Sequence, residues 1–214
     1  MKKIYLVRHS GPFVDLKEDN DLKWEDLNKN MILSVQGEEN AKELANLQAL
    51  KEVSKVYSAD SVRAIETIKY IAQENNTKIE VDKKLNEREL GIEYKSELPN
   101  NFLKMQFEDE SYKLRRGESL KEAKKRVTDE INNIIENLDE DENVALSMHC
   151  VSIMLYLSNF AKVGFNGGEF KVLYNDETVH EGYVGNPHVF EIIFENDEVK
   201  SIKTIYNNSV YNIE

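Results

Sequence analysis

Two histidines, two arginines and one glutamate stand just beyond short apolar runs of this 214-residue chain. Arg8 and His9 follow Ile4–Val7, which reads as a buried strand. A second run, Val53–Tyr57, ends at Ser58, with Arg63 in the first turn of the helix that comes next. A third, Val144–Ser147, ends at Met148 and His149. Glu87 lies in the loop 85–91, after a short strand at Ile79–Val81. Arginine forks suit phosphoryl oxygens in bidentate fashion. One neutral imidazole can attack phosphorus and form a covalent phosphohistidine. A second, as imidazolium, can neutralise the equatorial oxygens. A carboxylic acid can protonate the leaving alkoxide and then take a proton from water. Nearby positive charge lowers the nucleophile's pKa and keeps it neutral. This set carries its own cations, so neither a metal nor a cofactor is expected.

Positioning these groups requires their strand ends to share one edge of a sheet, where open α/β sheets place their ligands. The intervening pattern supplies the spacers. Residues 15–30 read as a charged loop with a helical turn anchored by Trp24 and Leu27. Ser34 N-caps a predicted helix over 35–50 with Val35, Ala41, Leu44, Ala45 and Leu47 on its apolar face. Another helix covers 61–74, with Ile65, Ile68 and Ile71 on one side. Ser119 and Glu122 form a capping box that opens a helix to about 138, and 151–160 is also predicted helical. Phe170–Tyr174, His188–Glu195 and Val199–Tyr206 read as late strands. Strand–helix alternation followed by late strands predicts an α/β fold with a mostly parallel sheet and an antiparallel edge. One domain over 1–214 is expected, with a short irregular or helical insertion around 92–117.

Charge narrows the partners. The formal net charge is −12, which argues against nucleic acid and anionic membrane. The single Cys150 excludes an internal disulfide. No apolar run approaches the roughly 20 residues of a membrane span. Ile4–Val7 is too short for a signal-peptide core, so a cytoplasmic protein is expected. Oligomeric state is not set by these features.

Five blocks in order resemble the histidine phosphatase superfamily, also called the phosphoglycerate mutase-like family. Leu6-Val7-Arg8-His9 is similar to its Arg-His-Gly signature. Val56-Tyr57-Ser58 through Arg63-Ala64-Ile65-Glu66-Thr67 resembles its second arginine block, and Leu85-Asn86-Glu87-Arg88 its acid block. Gly117-Glu118-Ser119 with Arg126 resembles its Gly-Glu-Ser helix start, and Val144 to His149 its second histidine block. The resemblance implies a three-layer α/β/α sandwich with the site at the carboxyl edge of the sheet. It implies that His9 is the phosphorylated nucleophile, that Arg8, Arg63 and His149 hold phosphate, and that Glu87 donates the proton. Its implied substrate is a small phosphorylated metabolite.

Departures from the pattern are local. Ser10 replaces the usual Gly and is a candidate substrate contact whose main chain can still bond the nucleophile's second ring nitrogen. Asp15 stands where many members have Asn and receives no role, while Met148 and Cys150 flank the second histidine. Glu89 competes with Glu87 for the acid. Arg115 and Arg116 are either a contact for a second anionic group or a solvated pair. Phe13, Trp24, Phe102 and Phe107 line the leaving-group pocket or pack in the core, and His180 and His188 lie outside every block. Mutases of this family carry a longer segment that seals the pocket from water. Here only residues 92–116 separate Gly91 from Gly117, which favours hydrolysis over phosphoryl transfer to a second substrate. A phosphate-binding module without turnover is the remaining alternative, and it would require one of the four phosphate-pocket residues to be missing.

Overall fold

The computed structural model describes residues 1–14 and 22–208, so Asp15 lies outside the described residues. Nine strands occur among them. They are β1 (Lys2–Arg8), β2 (Lys55–Ser58), β3 (Ile79–Val81), β4 (Asn143–Met148), β5 (Lys162–Asn166), β6 (Glu169–Tyr174), β7 (Glu177–Gly182), β8 (His188–Glu195) and β9 (Glu198–Asn207). Six helices accompany them: α1 (Trp24–Asn30), α2 (Val35–Leu44), α3 (Val62–Glu74), α4 (Phe102–Glu108), α5 (Leu120–Glu136) and α6 (Cys150–Leu157). The main sheet has the order β3-β2-β4-β1-β8-β9. Its first four strands run parallel, while β8 and β9 add an antiparallel edge.

Alternation along β1 makes the layers. Ile4 and Leu6 enter a core with Val127 and Ile131 of α5 and Ile153 of α6. Tyr5 and Val7 point to the other face, among Leu44 of α2 and Ile68 and Ile71 of α3. The sheet is therefore covered on both faces, which explains why β1 and β4 read as continuous apolar runs rather than alternating ones. Ser119 accepts from the Glu122 main chain and the Glu122 side chain returns to the Ser119 main chain, completing the predicted capping box. Ser34 likewise caps α2 through the Gly37 N–H.

Several boundaries differ from the sequence reading. The helix predicted over 35–50 stops at Leu44, and a separate 3₁₀ turn covers Gln48–Leu50. Val35 is 82% exposed and takes no part in the apolar face. The last predicted helix ends at Leu157 rather than 160. Residues 170–174 do not join the main sheet. They form the centre of a second, antiparallel sheet, β5-β6-β7. Phe170 and Val172 of that sheet pack into the same core as α5 and α6.

Candidate active site

Register alone brings the strand ends together. β4 lies between β1 and β2, with Arg8 opposite Met148 and Ser58 opposite Ser147. Beyond the ladder, the His9 N–H donates to the Met148 carbonyl at 3.0 Å. His9 and His149 consequently face each other, ring centroids 5.2 Å apart. Arg63 enters from the first turn of α3, whose neighbour strand β2 delivers it to the same edge. Thr67, one turn on, accepts from the Ser10 N–H at 2.8 Å and donates to the Arg63 carbonyl at 2.7 Å. That pair ties the turn after β1 to α3.

Hydrogen bonding sets the imidazole tautomers, because a guanidinium can only donate. Arg63 Nε donates to His9 Nε2 at 3.2 Å, so Nε2 carries the lone pair. His9 Nδ1 carries the proton and donates to the Ser10 carbonyl at 2.8 Å. Arg63 Nη2 donates to His149 Nδ1 at 3.2 Å, which leaves His149 Nε2 to donate to Ser61 Oγ at 3.3 Å. Both histidines are buried. Burial first, then the charges of Arg63, His149 and Arg8, push the His9 pKa well below its ordinary value. Burial, Arg63 and Arg8 do the same to His149. Both shifts favour the neutral imidazole, since two guanidinia in a desolvated pocket disfavour a third cation.

Arg8 is held from an unforeseen direction. Its Nη1 donates to the Val184 carbonyl, and the Gly185 carbonyl lies at 3.5 Å. Its Nε is buried with no partner among the described residues. Asn186 donates to the His9 carbonyl at 3.0 Å. The segment joining β7 to β8 therefore shapes the pocket, through main-chain oxygens that no side-chain pattern announces. The Arg63 guanidinium meets a further unforeseen residue. Asn28 of α1 accepts from Nη2 through Oδ1 at 2.8 Å and from Nη1 through its main-chain carbonyl. Burial and the neighbouring Arg8 lower the Arg63 pKa to about 10, against the opposing pull of Glu87, and its charge persists at neutral pH.

Glu87 is fixed at the N-terminus of α6. Its Oε2 accepts from the Val151 N–H at 3.0 Å, and its Oε1 from Ser152 Oγ at 3.1 Å and the Arg88 N–H at 3.0 Å. Glu89 is exposed, and its main chain donates to Glu118. The neck of the 92–116 segment is closed by glycines. Gly91 has φ +74°, and a Cβ there would come within 2.3 Å of the Gly117 nitrogen. A Cβ on Gly117 would approach the Leu90 carbonyl oxygen to 2.7 Å.

A cleft of about 650 Å³ opens beside Glu87 and His149, lined also by Trp24, Asn28, Lys83 and Arg116. Arg116 thus borders the cleft, whereas Arg115 is exposed and does not line it. Ser10 does not line it either. It is fully buried, and its hydroxyl donates to the Gly37 carbonyl at 2.7 Å, so it braces the turn instead of reaching substrate. Trp24 is the aromatic of the four that lines the cleft. Phe102 and Phe107 pack inward, Phe107 stacking on Phe165, while Phe13 is exposed. Burial pushes the Cys150 thiol up to about 11, which suits a small packed side chain. His180 and His188 pair with each other at 4.9 Å, away from the cleft. Among the described residues no group of His, Cys, Asp or Glu is arranged to hold a metal ion, and no helix is long and apolar enough to cross a membrane.

The chain belongs to the histidine phosphatase superfamily, branch 1, whose family profile matches residues 4–179. Its fold is shared with solved structures, among them two named as phosphatases. A mycobacterial glucosyl-3-phosphoglycerate phosphatase is 16% identical with a TM-score of 0.65, covering 95% of this chain and 96% of its own. A phosphoserine phosphatase variant from Entamoeba histolytica, solved with phosphoserine, is 17% identical with a TM-score of 0.64 over the whole of both chains. YhfR of Bacillus stearothermophilus is 19% identical with a TM-score of 0.66, covering 93% and 94%. No curated protein sequence matches this one. At these identities the likeness is one of fold.

Proposed function

We propose that this protein is a phosphomonoester hydrolase that works through a phosphohistidine at His9, without a metal, on a small phosphorylated metabolite. The observation that carries this reading is the 3.2 Å contact of Arg63 Nε with His9 Nε2, which keeps the attacking nitrogen unprotonated beside a cation. A phosphoryl group on His9 is held by Arg63, Arg8 and His149. The His9 Nε2 lone pair forms a bond to phosphorus as the ester P–O bond breaks, and protonated Glu87 gives its proton to the leaving oxygen. Water then attacks phosphorus, Glu87 takes its proton, and the N–P bond breaks to release phosphate. The guanidinia supply the charge stabilisation that a metal would otherwise give.

Hydrolysis is favoured over a mutase reaction because the 92–116 segment is short and the cleft beside Glu87 is broad enough to admit water. Two fold relatives named as phosphatases of phosphorylated small molecules support the substrate class. The test is turnover of a panel of phosphate monoesters quenched in alkaline denaturant, which spares the acid-labile N–P bond, with mass spectrometry of the trapped enzyme. Phosphate release that survives chelator, is inhibited by vanadate, and leaves phosphate on the His9 peptide is the expected result. His9→Ala should lose activity by about 10⁴-fold or more while keeping its circular dichroism. Full activity in that variant, or primer-dependent interconversion of phosphoglycerates far faster than phosphate release, would overturn the reading.

A further inference from the structure

A guanidinium presents two forks of donors, one along its Nε/Nη2 side and one across its Nη1/Nη2 end. In Arg63 the side fork addresses the imidazoles, Nε meeting His9 and Nη2 meeting His149, each at 3.2 Å. The end fork addresses one residue. Asn28 supplies both of its acceptors, the main-chain carbonyl to Nη1 and Oδ1 to Nη2.

The helix bearing Asn28 packs lightly: α1 buries none of its residues fully, and Trp24, Leu27 and Asn28 are half-buried. It is nevertheless pinned at both ends. The Trp24 N–H donates to the Glu93 carbonyl at 2.8 Å and Lys23 pairs with the Glu93 carboxylate at 3.0 Å. At the other end Lys29 pairs with Asp60 at 3.3 Å. Asp60 is itself bonded to Asn86, next to Glu87. A helix so lightly packed is held in good part by these polar ties and by the bonds of Asn28 to Arg63.

We propose that Asn28 is a positioning residue for phosphoryl transfer. By filling the end fork it fixes the plane of the Arg63 guanidinium, so that the side fork faces the phosphoryl group between His9 and His149. The inference rests on the phosphatase reading above. Its chemistry also accounts for an amide at this position. A carboxylate would hold the guanidinium more strongly, but it would set a negative charge beside a bound phosphoryl dianion.

Asn28→Leu removes the Oδ1 acceptor at nearly constant volume, and Asn28→Asp keeps an acceptor and adds charge. Asn28→Leu should lower kcat by about 10-fold to 10²-fold, the scale of a misplaced catalytic group, and weaken vanadate inhibition. Asn28→Asp should hold kcat closer to that of the native chain and instead raise KM and the vanadate inhibition constant. In an Arg63→Ala background the Leu substitution should add less than about twofold, as expected once its target is gone. Native kcat/KM and vanadate affinity in Asn28→Leu would overturn the inference. So would an equal loss with and without the Arg63 guanidinium, which would mark a structural role. A native chain that neither releases phosphate nor binds vanadate overturns the phosphatase reading together with this one. An active native chain indifferent to Asn28 overturns this inference alone.

Discussion

Arg126 grips Glu118 with two hydrogen bonds of 2.7 Å, one to each carboxylate oxygen. Its remaining Nη1 donates to the carbonyls of Lys84 at 2.7 Å and Asn86 at 3.2 Å. One guanidinium on α5 therefore joins the segment ahead of that helix to the turn that presents Glu87. Lysine cannot replace it, since a point charge does not span a carboxylate and two carbonyls at once.

Arg126→Lys should therefore loosen Glu87 while leaving the phosphate pocket intact. Turnover of alkyl phosphates should fall by about 10-fold, less than the roughly 10² to 10⁴ that losing the acid outright would cost, and nitrophenyl phosphate should be less affected. Vanadate inhibition should stay at the native level. A rise in the vanadate inhibition constant equal to the loss of turnover would show that Arg126 supports the whole site.

Glu87→Gln keeps the shape of the acid and removes its proton. Expected losses are about 10² to 10⁴ for alkyl phosphates, and smaller for nitrophenyl phosphate, whose leaving group needs little protonation. Equal losses on both substrates would mean that Glu87 serves only as the acceptor for the Val151 N–H and Ser152 hydroxyl. Glu89→Gln should cost far less than Glu87→Gln, because Glu89 borders the same cleft as an exposed side chain.

Both site histidines should be neutral where an ordinary histidine is mostly charged. Burial and the two guanidinia act in the same direction on His9 and His149. NMR titration of the imidazole carbons should find both in the neutral form at about pH 6, half a unit below the unperturbed value. A midpoint near 6.5 for either ring would contradict the tautomers derived from Arg63.

Acid should weaken the fold through the histidines before it reaches most carboxylates. His180 is shifted down by burial, and His188 is pushed down to about 3, chiefly by burial against its bond to Asn207. A depressed histidine is neutral in the folded chain while the unfolded chain binds a proton below about 6.5. Stability is then fully present above that pH and falls as pH drops towards the folded value. The melting temperature should decline steadily between pH 6.5 and 4. His188→Gln should lower the slope of unfolding free energy by about 1.4 kcal/mol per pH unit, one proton's worth. An unchanged slope would show that His188 already titrates normally.

The sequence is legible wherever a side chain states its own business. Apolar runs ending in Arg8-His9 and Met148-His149 reveal the shared sheet edge, because burial on both faces makes β1 and β4 continuous. Ser119 and Glu122 declare a helix start through reciprocal bonds that need only those two residue types at that spacing. Main-chain groups have no such signature, and the Val184 and Gly185 carbonyls against Arg8 could not be read. Asn28 has no signature either, because Trp24 and Leu27 announce a helical turn but nothing in it marks the contact with Arg63. β5 escaped because its residues are exposed or half-buried and one is glycine. Ser10 was misread for a related reason. Its position beside His9 suggested substrate, but the tight approach of Gly37 to Gly11 brings a carbonyl within reach of its hydroxyl.

The back-to-back glycines at 91 and 117 make the segment between them an exchangeable cassette. Its ends already touch, so the chain outside it is indifferent to how much lies inside. A flexible loop costs only about 0.6 kcal/mol more for each doubling in length. Glu93, which holds the Trp24 N–H at 2.8 Å and Lys23 at 3.0 Å, has to stay so that α1 keeps its place, and two further fixings have to travel with any replacement. One is an aromatic plug in the place of Phe107, which stacks on Phe165 at 4.8 Å. The other is an amide in the place of Gln106, which accepts from Arg88 at 2.6 Å and donates to the Glu118 carbonyl at 3.0 Å. With those retained, grafts of different length and polarity can re-tailor the wall of the cleft while Glu87, anchored to α6 and not to the graft, stays in register with the imidazoles. Substrate range in this scaffold is thereby open to modular engineering, one wall at a time.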